Sequence, residues 1–268
     1  MASFSELFGG GGGGFEIVQQ DIFAASGTWT KSVDVVDTDI IVVDLWGGGG
    51  GGSSSTSAAN TFRGAGGGGH NRLFLLSSIL AATETVTVGA GGTGNPTSNG
   101  NGTSGGTSSF GNYGVAGGGL FAQNGSGGVG GGNGGFSNKG YRPLRGSYFG
   151  DKWRGGEFAI ANGRETIDSH HGGGGGSEYN SQPGYSMWGG AGSRGPYTGT
   201  PGAAGISLYG GNSGLSAVNP STPTAGEVPG GGGGCGQSIA SANGGRGEAR
   251  VYVIRGAVPD YEFVFEAV

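Results

Sequence analysis

The sequence has 268 residues, of which 72 are glycine and 9 are proline, and its formal net charge is −5 with 12% charged residues. It has no block of basic residues, so nothing in its charge pattern indicates nucleic acid or an anionic membrane surface as a partner. Its one cysteine, Cys235, excludes an intrachain disulfide framework. No apolar run approaches the roughly 18 residues of a membrane-spanning helix.

Composition alone leaves order and disorder as competing interpretations. Glycine and proline together make up about 30% of the chain, a level at which aperiodic sequences are often disordered. Aromatic residues make up 10%, however, and dense apolar runs interrupt the glycine, whereas disordered chains are poor in both. We therefore expect an ordered chain. The start, MASFSELFGG, lacks a basic region followed by an apolar one, so no signal peptide is expected.

Predicted strands occupy the first part of the chain. FEIVQQ (15–20) is the first, and TWTKSVDVV (28–36) and TDIIVVDLW (38–46) are close enough to predict a hairpin that turns near Asp37. Apolar side chains lie on both faces of TDIIVVDLW, which is typical of a central strand.

Further strands follow at the middle and the end of the chain. LFLLSSILAA (73–82) is the one helix candidate, and it is too short and too apolar to decide. TETVTVG (83–89) and TSSFG (107–111) predict two short strands, and EARVYVIRG (248–256) and YEFVFEAV (261–268) predict two at the end. Because strands come from both ends of the chain, we expect them to meet in one antiparallel layer.

The glycine runs between the strands do not match a phosphate-binding loop. VVDLWGGGGGGSSS (42–55) passes from a predicted strand into six glycines, but no lysine follows the run and no helix-forming sequence comes after it. The segments between runs are also too short to be domains joined by linkers. The runs have no fixed period, and Gly-X-Y periodicity is missing, which excludes solenoid repeats and collagen.

A left-handed extended helix with three residues per turn is the interpretation that we favour for these runs. Polyglycine helices without side chains can approach closely, so their N–H and C=O groups can bond to neighbouring helices, aided by weak Cα–H···O contacts. The predicted fold class is therefore all-β with little helix: an antiparallel β layer formed by both chain ends, plus a bundle of polyglycine-II helices. Gly47–Gly52 would be the first of these helices, and Ser53–Ser55 would begin a loop beyond it.

Several motifs occur in a characteristic order. They are SGTWTKSVDVVDTDIIVVDLWGGGGGG, GAGGGGHNRLF, TETVTVGAGGTG, GGTSSFG, VAGGGL and GGGGGCGQSIASANGGRGEARVYVIRG. Over residues 23–256, with large gaps, this order resembles the glycine-rich domain of tailed-phage tail-fibre and tail-tip proteins. The resemblance implies adhesins in which packed polyglycine helices hold loops that contact a receptor. LLSSILAAT stands where the family commonly has a Pro-Gly turn.

The resemblance suggests three regions. Residues 1–14 would be an N-terminal attachment arm that docks on other phage tail proteins through Phe4, Leu7 and Phe8. Residues 15–256 would form the glycine-rich domain, in which 136–200 are inserted loops and 136–170 carry this protein's own specificity. Residues 257–268 would extend the C-terminal strand.

Aromatic and arginine residues in the inserted loops are candidate receptor contacts, because Arg, Tyr and Trp combine large contact area with polar groups. The alternative is that they cover the bundle ends or pack between subunits. The candidates are Tyr141, Arg142, Arg145, Tyr148, Trp153, Arg154, Tyr179, Tyr185, Trp188 and Tyr197.

Catalytic and metal sites have little support. His170 and His171 are adjacent, so they point to opposite sides of an extended chain, and a metal site with His70 is less favoured than a polar cap before Gly172. The aspartates at 34, 37, 39 and 44 are better explained by a strand edge and turn than by a cation site. Cys235 is predicted to be a small packed side chain. We expect no enzyme activity, no cofactor and no metal.

The expected function is therefore that of a phage tail-fibre or tail-tip protein that presents loops to the host. Its receptor would be a glycan or an outer-membrane protein, the chain would form homo-oligomers in the virion, and it would be extracellular after host lysis. One alternative is a structural spacer or decoration protein without a receptor. A less favoured one is an ice-binding polyglycine bundle, for which the chain lacks regular threonine spacing.

Overall fold

The computed structural model describes residues 15–56, 64–122, 171–176, 182–196 and 200–256. Within these ranges the chain forms strands and one short 3-10 turn, Ser77–Ile79, without any α-helix. No helix of the described part is long and apolar enough to cross a membrane. The strands are β1 (Glu16–Phe23), β2 (Gly27–Thr30), β3 (Ile40–Trp46), β4 (Ser54–Ser55), β5 (His70–Leu76), β6 (Thr83–Thr87), β7 (Ser108–Phe110), β8 (Gly114–Ala116), β9 (Ala217–Val218), β10 (Gly236–Gln237) and β11 (Glu248–Arg255).

The first sheet has the order β1-β11-β3-β5, and all its strand pairs are antiparallel. The first and last described strands are therefore neighbours, which confirms the predicted all-β layer built from both chain ends. β3 lies between β11 and β5, as its two apolar faces predicted. We call this the terminal sheet.

The second sheet has the order β2-β6-β7-β8, also antiparallel. The predicted hairpin between 28–36 and 38–46 is wrong, because β2 pairs with β6 whereas β3 pairs with β11 and β5. Turn hydrogen bonds from Val35 to Ser32 and from Asp39 to Val36 break the intervening segment. Arg255 also binds the Asp39 carboxylate at 2.8 and 2.9 Å, which holds this segment at the end of β11.

The undecided segment 73–82 is not an α-helix. Its first residues belong to β5, in which Leu73 and Leu75 are buried while Phe74 and Leu76 face outward. The three-residue 3-10 turn follows, and then β6 begins. Cross-strand pairing with β3 over seven residues selects the strand conformation here.

The hydrophobic core lies between the inward faces of these two sheets. Trp29 and Phe110 contact each other in it, with ring centroids 5.7 Å apart. Burial of each large apolar side chain contributes about 1.5–3 kcal/mol. The buried members are Trp29, Ile41, Val43, Leu45, Leu73, Leu75, Leu80, Val86, Phe110, Ala116, Ala249, Val251 and Val253.

Beyond Trp46 the chain enters the six-glycine run 47–52, which we call the central segment. Its successive N–H groups donate to three different segments in rotation, at 2.8–3.0 Å. Gly47 and Gly50 donate to Gly69 and Gly66, whereas the intervening N–H groups donate to residues 103–106 and 242–245. In each of these three segments the residue number of the acceptor falls as that of the donor rises, so the three segments run antiparallel to the central segment.

The carbonyl groups of residues 48–53 show the same three-residue rotation. They accept from residues 119–122, 92–95 and 233–236, with donor numbers rising in step, so these three neighbours run parallel. Six backbone segments thus surround the central segment, and we call the seven together the glycine bundle. β4, β10 and β9 form a small parallel sheet beyond it, so Ser54–Ser55 belong to a strand rather than to the predicted loop.

The bundle continues the registers of the sheets. β3 pairs Trp46 with His70 on one side and with Glu248 on the other. The next bonds, Gly47 to Gly69 and Gly49 to Gly245, keep the same two alignments. The sheet and the bundle are therefore one continuous backbone hydrogen-bond network. Along it, the direction of the hydrogen bonds repeats every two residues in the sheet and every three residues in the bundle.

Side chains are excluded from this network by lack of space. A Cβ added at any position from Gly47 to Gly52 would lie 2.1–2.2 Å from a carbonyl oxygen of a neighbouring segment. Cys235 is fully buried beside Ala65 and Ala122, and burial raises the pKa of its thiol. It is therefore a small packed side chain, as predicted.

Candidate functional site

The outer face of the terminal sheet carries a mixed aromatic and charged surface. Phe74 and Tyr252 lie opposite Val42 on the two neighbouring strands, and Arg72 and Arg250 lie opposite Asp44 in the next row. Phe74 is 69% exposed although it belongs to a strand of regular alternation. No described residue covers this face of the sheet at that point, so Phe74 is exposed there.

Trp188 and Tyr209, which come from segments next to the glycine bundle, form a second wall. Their rings stack at a centroid distance of 4.1 Å and an angle of 18°. The indole N–H of Trp46 donates to the carbonyl of Trp188 at 2.6 Å, which fixes this wall to the end of β3. Tyr209 is 50% exposed, so one face of the stack is open to solvent.

A concavity of about 380 Å³ lies between the two walls, and we call it the sheet-face site. This volume falls within the range of about 300–1,000 Å³ that holds small organic ligands. It is lined by Ile17, Val42, Asp44, Trp46, Arg72, Phe74, Trp188, Tyr209, Arg250, Tyr252 and Ile254.

Asp44 organises the charges at the floor of the site. Arg72 binds its carboxylate in a bidentate manner, at 2.6 Å through Nε and 2.8 Å through Nη2, and Nε2 of His70 lies 3.0 Å from Oδ1. Burial opposes the ionised carboxylate, but the hydrogen bonds from His70 and Arg72 outweigh burial, so the pKa of Asp44 lies below its ordinary value. Asp44 is therefore a fixed anion near neutral pH.

His70 is held neutral. Burial lowers its pKa, and this outweighs the opposing hydrogen bond and charge of Asp44. If the Nε2 proton is donated to Asp44, the Nδ1 atom is the acceptor for Nδ1–H of His171, 3.3 Å away. The rings of His70 and His171 stack at 5.5 Å, and Trp188 stacks on both. The structure thus brings His171 beside His70, while His170 lies outside the described residues.

Each arginine of the site rests on an aromatic ring and binds a carboxylate. Arg72, bound to Asp44, lies 4.8 Å from the centroid of the Trp188 ring. Arg250 lies 4.8 Å from the centroid of Trp46 and binds Glu248 at 2.7 Å. Cation–π contacts of this kind hold a guanidinium in place. The site therefore presents oriented N–H donors that are paired with carboxylates, of which Glu248 is shared with Arg246 at 3.5 Å.

The structure brings one predicted receptor residue, Trp188, into this site. Tyr185 is 36% exposed and does not line it. The remaining predicted contacts and the attachment residues lie outside the described part of the chain: Tyr141, Arg142, Arg145, Tyr148, Trp153, Arg154, Tyr179, Tyr197, Phe4, Leu7 and Phe8. So do residues 1–14, residues 257–268 and most of the inserted loops.

Sequence reasoning missed Phe74, Tyr209, Tyr252, Arg72 and Arg250. The sequence contains a signal for those on strands, because Phe74 alternates with two buried leucines and Tyr252 alternates with two buried valines. Their assembly with Trp188 is not a property of local sequence. It depends on the glycine bundle, which brings chain positions far apart to one edge of the sheet.

Comparison with known proteins gives the family. A family model described as a glycine-rich domain matches residues 23–254. The chain belongs to this glycine-rich domain family. No curated protein matches the chain. Within the matched range, the described glycine runs of this chain form the segments of the glycine bundle, and the sheet-face site lies at the boundary between that bundle and the terminal sheet.

Proposed function

We propose that this glycine-rich domain protein is a structural component of a tailed-phage tail fibre or tail tip that contacts the host surface. The observation that carries the proposal is the glycine bundle, in which six segments bond to the central segment through backbone groups with a three-residue period. The resemblance of the motif order to tail-fibre and tail-tip proteins supports the same conclusion.

The glycine runs are, in this proposal, polyglycine-II helices. A helix with three residues per turn directs successive N–H groups to three sides, and the donors of residues 47–52 follow this rotation. The close approach of Cα atoms to neighbouring carbonyl oxygens is also the geometry that weak Cα–H···O contacts need. Such a bundle is rigid without a conventional core, so it suits a protein that must hold binding groups in fixed positions outside a cell.

The proposed contacts with other molecules follow from this role. The N-terminal arm, 1–14, would dock on other tail proteins, and copies of the chain would associate in the virion. The inserted loops and the sheet-face site would meet a bacterial surface glycan or outer-membrane protein. Binding rather than catalysis is favoured, because the Asp44 carboxylate is fixed as an anion in a bidentate ion pair and is a poor proton acceptor.

Two measurements test the proposal. Antibodies raised against the purified full chain should label one end of phage particles in electron micrographs. The chain fused to a fluorescent protein should stain cells that the phage infects and should not stain a resistant, receptor-deficient strain. Labelled particles without cell staining would support the structural spacer instead, and unlabelled particles would contradict both versions.

A further inference from the structure

We propose that the sheet-face site binds a short neutral carbohydrate. This inference rests on the proposed function, because it assigns a ligand class to a surface that would meet the host. The two aromatic walls, the arginines paired with carboxylates and the size of the concavity support it.

The aromatic walls suit the flat faces of sugar rings. Tyr209 and Phe74 are 50% and 69% exposed, and they belong to opposite walls of the concavity. The faces of aromatic rings are negative, whereas the axial C–H bonds of a pyranose carry a partial positive charge. A sugar ring that enters between the walls can therefore stack on one or both of them.

The polar groups suit hydroxyls rather than anions. A guanidinium has five N–H donors, and Asp44 accepts two hydrogen bonds from Arg72. The remaining N–H groups can donate to hydroxyl oxygens while the net charge stays compensated by the carboxylate. Arg250 binds Oε1 of Glu248 through Nε and Nη2, each at 2.7 Å, and Nη1 of Arg246 lies 3.5 Å from the other oxygen of that carboxylate. An anionic ligand would meet Asp44 at the floor and would have to compete with it for Arg72.

Other ligand classes fit less well. A nucleic acid would meet a chain with a formal net charge of −5. A purely apolar ligand would cover the half-exposed Arg72 guanidinium and leave its remaining N–H groups without acceptors. The volume of about 380 Å³ holds a short oligosaccharide and excludes a folded protein domain from entering it.

The test uses the full chain and an array of neutral glucose, galactose and mannose oligosaccharides beside carboxylated and phosphorylated counterparts of equal length. Titration calorimetry then measures Kd for the best ligand. We expect neutral sugars to bind at least tenfold more tightly than their charged counterparts. Tyr209→Ala should weaken binding at least tenfold, and Tyr209→Phe, which keeps the stacking face, should restore it to within about threefold. Leu208→Ala is the control, since Leu208 is 65% exposed beside Tyr209 but does not line the site.

The outcomes separate this inference from the proposed function. Absence of binding to all neutral sugars at millimolar concentration, a preference for charged ones, or equal binding by Tyr209→Ala would overturn the carbohydrate site. If Tyr209→Ala still stains host cells like the parent chain, the adhesin proposal stands while the site is wrong. A concentration-dependent dimer in sedimentation, lost in Phe74→Ala, would assign this face to a second copy of the chain and overturn the inference.

Discussion

The α-carbon of Gly50 lies against the backbone of Leu120, so closely that a Cβ on Gly50 would be 2.1 Å from the Leu120 carbonyl oxygen. At the same time the N–H of Gly50 donates to Gly66 at 2.9 Å. The obstacle to a side chain is a backbone atom fixed in a hydrogen-bonded segment. It cannot move away as the end of a flexible side chain could.

Gly50→Ala should therefore destabilise the fold. The clash forces either the central segment or residues 119–122 to shift, and overpacking of this kind costs about 3 kcal/mol or more where backbone must move. Urea unfolding followed by tryptophan fluorescence measures the change. Gly27→Ala is the matched control, because its Cβ would meet only Phe23 at 3.6 Å, and we expect a change below about 1 kcal/mol there. Equal effects at both positions would contradict the tight bundle.

Amide exchange should distinguish the bundle from an ordinary strand. All six N–H groups of residues 47–52 donate to neighbouring segments, so we expect all six to exchange at least about a hundredfold more slowly than in an unfolded chain. β1, an edge strand of the terminal sheet, should show alternating protection, because an antiparallel edge pairs only every second N–H. NMR of selectively labelled glycine measures this. Fast exchange at every second or third glycine of the run would show that some of its N–H groups do not donate to neighbouring segments. That result would contradict the glycine bundle.

His70 should make stability dependent on pH below about 7. Its pKa is lowered by burial in the folded state, whereas an unfolded histidine titrates near about 6.5. Below that value the unfolded chain binds a proton that the folded chain refuses, so the free energy of unfolding falls as the pH falls, by up to about 1.4 kcal/mol per pH unit. Asp44, whose pKa is lowered, and Arg72, whose pKa is raised, stay charged across this pH range.

The test compares unfolding free energies of the parent and of His70→Gln at several pH values. Gln keeps a donor for Asp44 but does not titrate. The free energy of unfolding of His70→Gln should therefore change less steeply with pH, and the difference in slope corresponds to at most one proton. His171, which contacts His70, is present in both proteins and is therefore part of the common background. An unchanged slope in His70→Gln would show that His70 titrates alike in the folded and unfolded chains.

Asp44→Asn should weaken both the fold and the sheet-face site. The amide cannot form the bidentate pair with Arg72, and we expect a loss of about 1–3 kcal/mol, since Asp44 is buried while Arg72 is 35% exposed. Arg72 would also lose the carboxylate that holds it beside Trp188. Asp37→Asn, at an exposed turn position, is the control and should change stability by less than about 0.5 kcal/mol. Comparable losses in the two variants would contradict the assigned role of Asp44.

Sequence reasoning was most successful where local pattern and tertiary partner agree. β6 and β11 were predicted close to their observed bounds because their apolar alternation coincides with burial on one face, and β3 because its apolar side chains on both faces coincide with its central position. It failed for the hairpin near Asp37, since nearness in the chain predicted pairing although β11 and β5 offered longer partners to β3. It left 73–82 undecided, because a short apolar run fits a buried helix as well as a strand, and only pairing with β3 decides between them.

The sequence by itself determined that the chain has strands at both ends, that glycine replaces side chains along several extended segments, and that no intrachain disulfide can form. These are consequences of composition and local spacing. Only the tertiary structure decided which segments are neighbours, because glycine runs have no side chains to distinguish one partner from another. The registers come instead from the sheets: once Trp46 pairs with His70 and Glu248, Gly47 and Gly49 are aligned with Gly69 and Gly245. The same alignment brings Trp188 and Tyr209 beside Arg72 and Phe74, a site that no stretch of the sequence contains.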